Sequence, residues 1–373
     1  MSVRDSIIII GSGICGLVAA RELARKGKKV TVLEALPEPG GRIRSIEKDK
    51  HRFEAGAEFV HGNLPLTFSL VGEAGLETVV SGGAVWQFKG GRLQEQEGFM
   101  EHGEELGAKL EELKNDMSVK SFLEQEFGGA HHEDLRREIT RFVEGYDAAD
   151  AGKASALTLA KELDADEDQY RIKGGYGPLV SFMEQECRQS GVTFFFSQPV
   201  REVTWKKGEV EVKTEEGQVY KAEKLLCTFS LGLWQQDPTD PTSIAFFPEL
   251  KEKRQLARQF GFGPVIKFLL LFRDAFWEKD HPGMGFLFSQ EAVPTWWTQA
   301  PGKSPLLTGW LAGPAVLEYT SLSEGEKLEL AIGSLSRIFD LPASTDILTG
   351  QRTEETTLIL SAIIFPATRK ETG

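Results

Sequence analysis

The stretch Ser6-Ile-Ile-Ile-Ile-Gly-Ser-Gly-Ile-Cys-Gly-Leu17 (SIIIIGSGICGL) decides how the chain reads. Four successive isoleucines suit a parallel strand buried on both faces. The glycines follow at G-x-G-x-x-G spacing, and residues 14–26 (ICGLVAARELARK) place Ile14, Leu17, Val18, Arg21 and Leu23 around a helix whose apolar side faces a sheet. Gly27 stands where that helix should end. Lys29-Val-Thr-Val-Leu33 reads as a second strand, closed by Glu34. In such a βαβ unit Gly11 makes the tight turn, Gly13 lets backbone approach a pyrophosphate, and Gly16 lets helix and strand pack closely. The helix N-terminus attracts phosphate charge. Glu34 can accept both ribose hydroxyls and would repel the 2′-phosphate of NADP. A secretory signal is the competing reading of this apolar start. However, Asp5 offsets Arg4, and Gly11-Ser12-Gly13 interrupts the apolar run far short of a signal's core.

The next residues separate one dinucleotide from another. After Glu34-Ala35 comes Gly40-Gly41-Arg42, which lets the chain pass close to a ligand and present a guanidinium fork to phosphate. Gly56-Ala57-Glu58-Phe59-Val60-His61-Gly62 follows. Together these motifs resemble the N-terminus of the flavin-containing amine oxidase family, which includes the monoamine and polyamine oxidases. The resemblance implies non-covalent FAD, held by Gly11, Gly13, Gly16, Glu34, Ala35, Gly41, Arg42, Gly56, Ala57, Glu58 and Phe59. It further implies an adenine contact at Val200 and a substrate-lining role for His61. On residues alone, Val200 reads equally as a core strand valine, and His61 as a loop histidine bonded to backbone.

Bulk properties bound the rest. A chain of 373 residues suggests two domains, and 40% hydrophobic with 27% charged residues fits a globular protein. A net charge of −13 argues against nucleic acid and suits a cationic partner. No apolar stretch approaches the length that spans a bilayer. Cys15, Cys187 and Cys227 lie far apart in apolar sequence, which predicts free thiols in a reducing compartment and a cytoplasmic location. The six histidines show no metal-ligand spacing, so no metal is expected. Oligomeric state has no sequence signal here.

The expected fold is α/β: a Rossmann-like FAD-binding domain interleaved with an α+β substrate domain of mixed or antiparallel sheet plus helices. Residues 1–80 and 171–240 are assigned to the first, 81–170 and 241–347 to the second, and 348–373 to a divergent tail. Residues 101–150 carry helical periodicity through Leu106, Leu110 and Leu113. Residues 192–230 read as strands and hairpins. Phe262–Phe272, Gly285–Phe288, Trp296-Trp297 and Leu306–Leu311 read as an antiparallel sheet, in which the tryptophans are more simply core than cavity wall.

Within Gly263-Pro-Val-Ile-Lys267-Phe-Leu-Leu-Leu-Phe272, a lysine among such neighbours must snorkel, pair or lose its proton. Residues alone favour a strand-edge lysine. The following Phe272-Arg-Asp-Ala-Phe-Trp277 makes the segment similar to the one that, in the family, carries the lysine beside flavin N5. That resemblance implies hydride transfer from a small amine or polyamine to N5, with reoxidation by O2 to H2O2. A desaturase or porphyrinogen-type oxidase shares the N-terminal fingerprint and remains an alternative, as does a non-catalytic FAD-fold polypeptide. The resemblance is expected to end near residue 347, with Leu358–Phe365 as a strand filling part of the gap. The divergent tail reads as that of a shortened product, expected to hold FAD weakly and to show little activity.

Overall fold

The computed structural model describes residues 4–48, 51–96, 103–164, 168–341 and 358–361. The isoleucine run forms strand β1 (Ser6–Ile10), followed by helix α1 (Ile14–Arg25) and strand β2 (Lys29–Leu33). Strands β3 (Thr193–Phe195) and β4 (Lys224–Cys227) complete a four-stranded sheet in the order β3-β2-β1-β4, parallel throughout. The alternation of β1 explains its composition. Ile7 and Ile9 pack on one face against α1 and the helix Gly177–Gln189, in a cluster with Leu17, Leu179 and Met183. Ile8 and Ile10 pack on the other face with Val200, Val203, Val212 and Phe246. A strand with two buried faces has no position for a polar residue, so the run is unbroken.

That second face is covered by a separate four-stranded sheet, in the order Val219–Ala222, Glu209–Thr214, Val200–Lys206, Ala245–Phe247. Gly27 has φ +77°, the left-handed conformation expected just past the end of α1.

The larger sheet is seven-stranded and mostly antiparallel, with strand β5 (Val265–Leu271) next to its edge. One neighbour of β5 is Leu306–Ala312, paired so that Lys267 faces Trp310. Its other neighbour is Leu358–Ser361, with Lys267 opposite Ser361. The strand anticipated at 358–365 therefore forms over its first four residues; 348–357 and 362–373 lie outside the described residues. All seven residues of β5 are buried, so Lys267 is an interior lysine and the strand-edge reading does not hold. Helix Glu324–Ile338 covers one face through Ala331, Leu335 and Ile338. It is started by a capping box between Ser323 and Glu326.

A cap of helices at Gly103–Glu111, Val119–Glu126, Glu133–Gly145 and Ala156–Asp164 has its own core around Leu106, Phe122, Leu123 and Ile139. A small sheet joins Val60–His61 to Gln169–Ile172. Among the described residues no helix is long and apolar enough to cross a membrane, and no cluster of potential metal ligands occurs.

Gly16 is the tightest point of the βαβ unit. A Cβ there would stand 2.1 Å from the Gly11 carbonyl oxygen and 2.9 Å from Thr228 Oγ1. Gly16→Ala is expected to destabilise the flavin-free protein by about 1–3 kcal/mol, measured by its denaturant midpoint. An unchanged midpoint would show that the turn relaxes without cost.

Candidate active site

The glycine turn leaves β1 at Gly11, whose φ of +104° needs glycine and whose N–H donates to Leu33 O at 2.8 Å. Gly13 then caps α1 with extended backbone, and the Gly40-Gly41 pair runs alongside it. Gly40 N–H donates to Ser12 O at 3.0 Å, and a Cβ on Gly41 would lie 3.4 Å from Gly13 Cα. Gly13 differs in kind from Gly16. A Cβ on Gly13 would meet no protein atom nearer than Gly40 O at 3.8 Å, so the fold itself leaves room for a side chain. Glu34 is buried at the end of β2. Its Oε2 accepts from Ser12 N–H at 2.6 Å and from Ser12 Oγ at 2.8 Å, and its Oε1 accepts from Leu36 N–H at 2.9 Å.

Ala35 and Arg42 are exposed beside this turn. Arg42 O accepts from Ala57 N–H at 2.9 Å, and a Cβ on Gly56 would stand 1.9 Å from that same oxygen, so segments 40–44 and 54–57 are in direct contact. Val200 is buried in the core behind β1. Ser12 and Thr228 had no signal as variable positions in the sequence, yet both tie the turn together. Thr228 Oγ1 lies 3.0 Å from both Ile10 O and Gly11 O.

The 56–61 segment leads from the turn to Lys267. The lysine is 1% exposed, and its Nζ donates to Glu58 Oε2 at 2.7 Å and to Gly56 O at 3.2 Å. It also lies 5.5 Å from the centre of the Trp297 ring. Glu58 Oε1 accepts from Gln299 Nε2 at 3.0 Å and is 3.3 Å from Arg171 Nε. Burial pushes the Glu58 carboxyl up, but Lys267 and Arg171 outweigh it and hold the group below the usual carboxylate range. Arg171 is fixed by donation to Ala300 O at 2.8 Å and Thr298 O at 2.9 Å, and it lies over the Phe59 ring at 4.6 Å. Glu58 and Phe59, expected beside the cofactor, are thus brought to Lys267. Neither Arg171 nor Gln299 was legible in sequence, because each is more than a hundred residues from Glu58.

Beyond Phe59 the site becomes aromatic and opens outward. Phe59 meets Trp297 at 5.5 Å and His61 at 5.9 Å; Trp297 meets Trp310 at 5.8 Å. Trp296 and Trp297 are buried as expected, and half-buried Trp310 packs against Trp297. His61 Nδ1 lies 3.0 Å from Tyr146 Oη, and Gln169 Nε2 is 3.4 Å from the same oxygen. Desolvation by its neighbours holds the His61 imidazole below its ordinary range. Next to Tyr146, the Asp147 carboxyl is pushed up to about 7 by burial and by Glu162, which shares a hydrogen bond with it. Asp147 is nevertheless exposed and Glu162 half-buried, so solvent screens their repulsion and the shift is smaller than burial and unscreened repulsion would give.

A family model for flavin containing amine oxidoreductases matches residues 14–356, past the point at which the sequence resemblance was expected to end. The chain belongs to that family. FLOWERING LOCUS D of Arabidopsis thaliana is 28% identical over an alignment of 313 residues that covers 77% of this chain and 38% of the relative. Lysine-specific histone demethylase 2 of Homo sapiens is 25% identical over 386 residues, covering 90% of this chain and 44% of its own. The chain spans less than half the length of these relatives. Among solved structures, putrescine oxidase bound to putrescine has a TM-score of 0.73 at 22% identity, with 95% of this chain and 84% of that one covered. Cyclohexylamine oxidase from Brevibacterium oxydans IH-35A has a TM-score of 0.73 at 19% identity, with the same coverage. Both share the fold.

Membership implies FAD as the cofactor, and the turn fits it. The open space in front of Gly13, the N-terminus of α1 and the Glu34 carboxylate are the elements a dinucleotide requires. Gly13→Val should leave the flavin-free fold intact and abolish stoichiometric flavin retention, read from the visible spectrum after gel filtration. Full retention would remove the turn from the binding site. A second expectation concerns acid–base balance. Between the ordinary carboxylate range and about 7, Asp147 holds more proton in the folded than in the unfolded chain, so this pair makes stability fall as pH rises through that window. Asp147→Asn should therefore raise the melting temperature more at pH 8 than at pH 5. A pH-independent difference would show that the two carboxyls do not repel.

Proposed function

We propose that this chain is an FAD-dependent amine oxidase that removes hydride from the C–H beside the nitrogen of a small amine or polyamine. In this reading residues 1–80 and 171–240 hold FAD, and 81–170 with 241–347 hold the substrate. The observation that carries it is Lys267: a buried ammonium beside a cluster of aromatic rings, reached from the glycine turn through residues 56–61. When bound, FAD supplies the hydride acceptor at N5 and the subsequent two-electron reduction of O2 to H2O2.

The protein's own residues supply the rest. Phe59, Trp297 and Trp310 exclude water and offer flat apolar walls to an alkyl chain. Lys267 places fixed positive charge where negative charge develops as oxygen is reduced. At the mouth, Asp147 and Glu162 attract a cationic amine, as does the overall charge of −13. The named substrates of the relatives (a lysine side chain of histone, putrescine, cyclohexylamine) share an amine carbon as the group presented. His61, bonded to Tyr146, lines the path between mouth and aromatic cluster.

Two measurements test the proposal. A panel of mono-, di- and polyamines should give amine-dependent bleaching of the flavin spectrum and stoichiometric peroxide. A flavin-loaded protein that no amine bleaches would refute it. Lys267→Met keeps length and removes charge, and it should slow reoxidation of reduced flavin about 100-fold or more while amine-driven reduction is largely kept. Unchanged reoxidation in stopped flow would leave Lys267 a structural residue.

A further inference from the structure

We infer that Glu58 is a positioning residue for Lys267 and that, with Arg171, it trims the Lys267 end of the aromatic cluster to a single surplus positive charge. This rests on the proposed reading that flavin lies beside Lys267. An ammonium has three N–H donors. Among the described residues two are committed, to Glu58 Oε2 and Gly56 O, which sets the group's position. The charge count comes from the same contacts. Lys267 and Arg171 are two buried cations, and Glu58 is the carboxylate between them, 2.7 Å from one and 3.3 Å from the other.

Among the described residues the remaining partners are neutral: Gln299, the carbonyls of Gly56, Thr298 and Ala300, and the Phe59 and Trp297 rings. The nearby Glu54 makes no ion pair with either cation among the described residues. Burial pushes its carboxyl up, while the hydrogen bonds its Oε1 accepts from Ser45 Oγ at 2.7 Å and Tyr176 N–H at 3.1 Å act the other way. A buried cation that is not fully compensated stabilises an anion placed next to it far more than a solvated one would.

A purely structural clamp and a charge-setting cluster make different predictions for the midpoint potential of bound flavin. Glu58→Gln keeps shape and adds one net positive charge, so the potential should rise by at least the equivalent of a tenfold change in the reduction equilibrium, about 30 mV for a two-electron couple. Arg171→Gln removes one positive charge and should lower it by a similar amount. The double variant Glu58→Gln/Lys267→Met restores the net charge of the wild type and removes both halves of the closest pair, the mildest way to lose a buried ion pair. Its potential should return to near the wild-type value while oxygen reactivity stays as slow as in Lys267→Met. Shifts of the same sign in both single variants, or no shift, would overturn the inference and leave Glu58 a clamp. If Glu58→Gln alone does not fold, the double variant decides, since a potential as low as that of Lys267→Met would overturn the inference. A wild-type chain that holds no flavin would overturn both this inference and the reading beneath it.

Discussion

A lysine in the middle of a fully buried strand is the constraint around which the two halves of the molecule meet. β5 has water on neither face, and an uncompensated ammonium there would cost several kcal/mol. Its compensation comes from Glu58, 209 residues away, on the segment that leaves the glycine turn. Glu58 is held in turn by Arg171, which is anchored on the carbonyls of Thr298 and Ala300. Four stretches of chain are thereby pinned to one another by charge. Removing one member of such a pair typically costs about 3–5 kcal/mol, so the arrangement fixes how the cofactor-binding segments face the seven-stranded sheet.

The glycine turn solves a different problem with the same economy of space. β1 spends both faces on apolar packing, which leaves only its C-terminal end for chemistry. At that end Gly16 is required by the protein, because its own backbone fills the place of a side chain. Gly13 is not so required. Two glycines three residues apart are therefore present for different reasons: one lets the helix approach the strand, the other lets a ligand approach the helix.

This difference separates what the sequence could reveal from what it could not. The βαβ unit was legible because its determinants are local: a four-residue isoleucine run, glycine spacing and one carboxylate at the end of β2. The strands at Val265–Leu271, Met284–Phe288, Thr295–Trp297 and Leu306–Ala312 were legible for the same reason. Lys267 stood out as anomalous, but the rule that buried lysines are rare pointed to an edge position, and the structure puts it inside. Its partners could not be inferred. Glu58 was visible only as part of a motif, and Arg171 and Gln299 come from segments that carry no pattern beyond ordinary strand and loop composition. Cys15, expected in apolar surroundings, is exposed, because position 15 of α1 faces away from the sheet. The Asp147–Glu162 pair was equally hidden, since two acidic residues fifteen positions apart in a helical region read as solvated surface until the fold brings them together.

The two charged groups lie at opposite ends of one run of aromatic contacts, and their signs differ. From Arg171 the contacts run over Phe59 to His61, then to Tyr146, which adjoins Asp147. A protonated amine is favoured next to carboxylates and opposed next to two buried cations. A neutral amine suffers no such opposition, and only the neutral form carries the nitrogen lone pair that assists loss of hydride from the adjacent carbon. Under the proposed function, this charge asymmetry would favour the neutral, reactive form of an amine at the inner end.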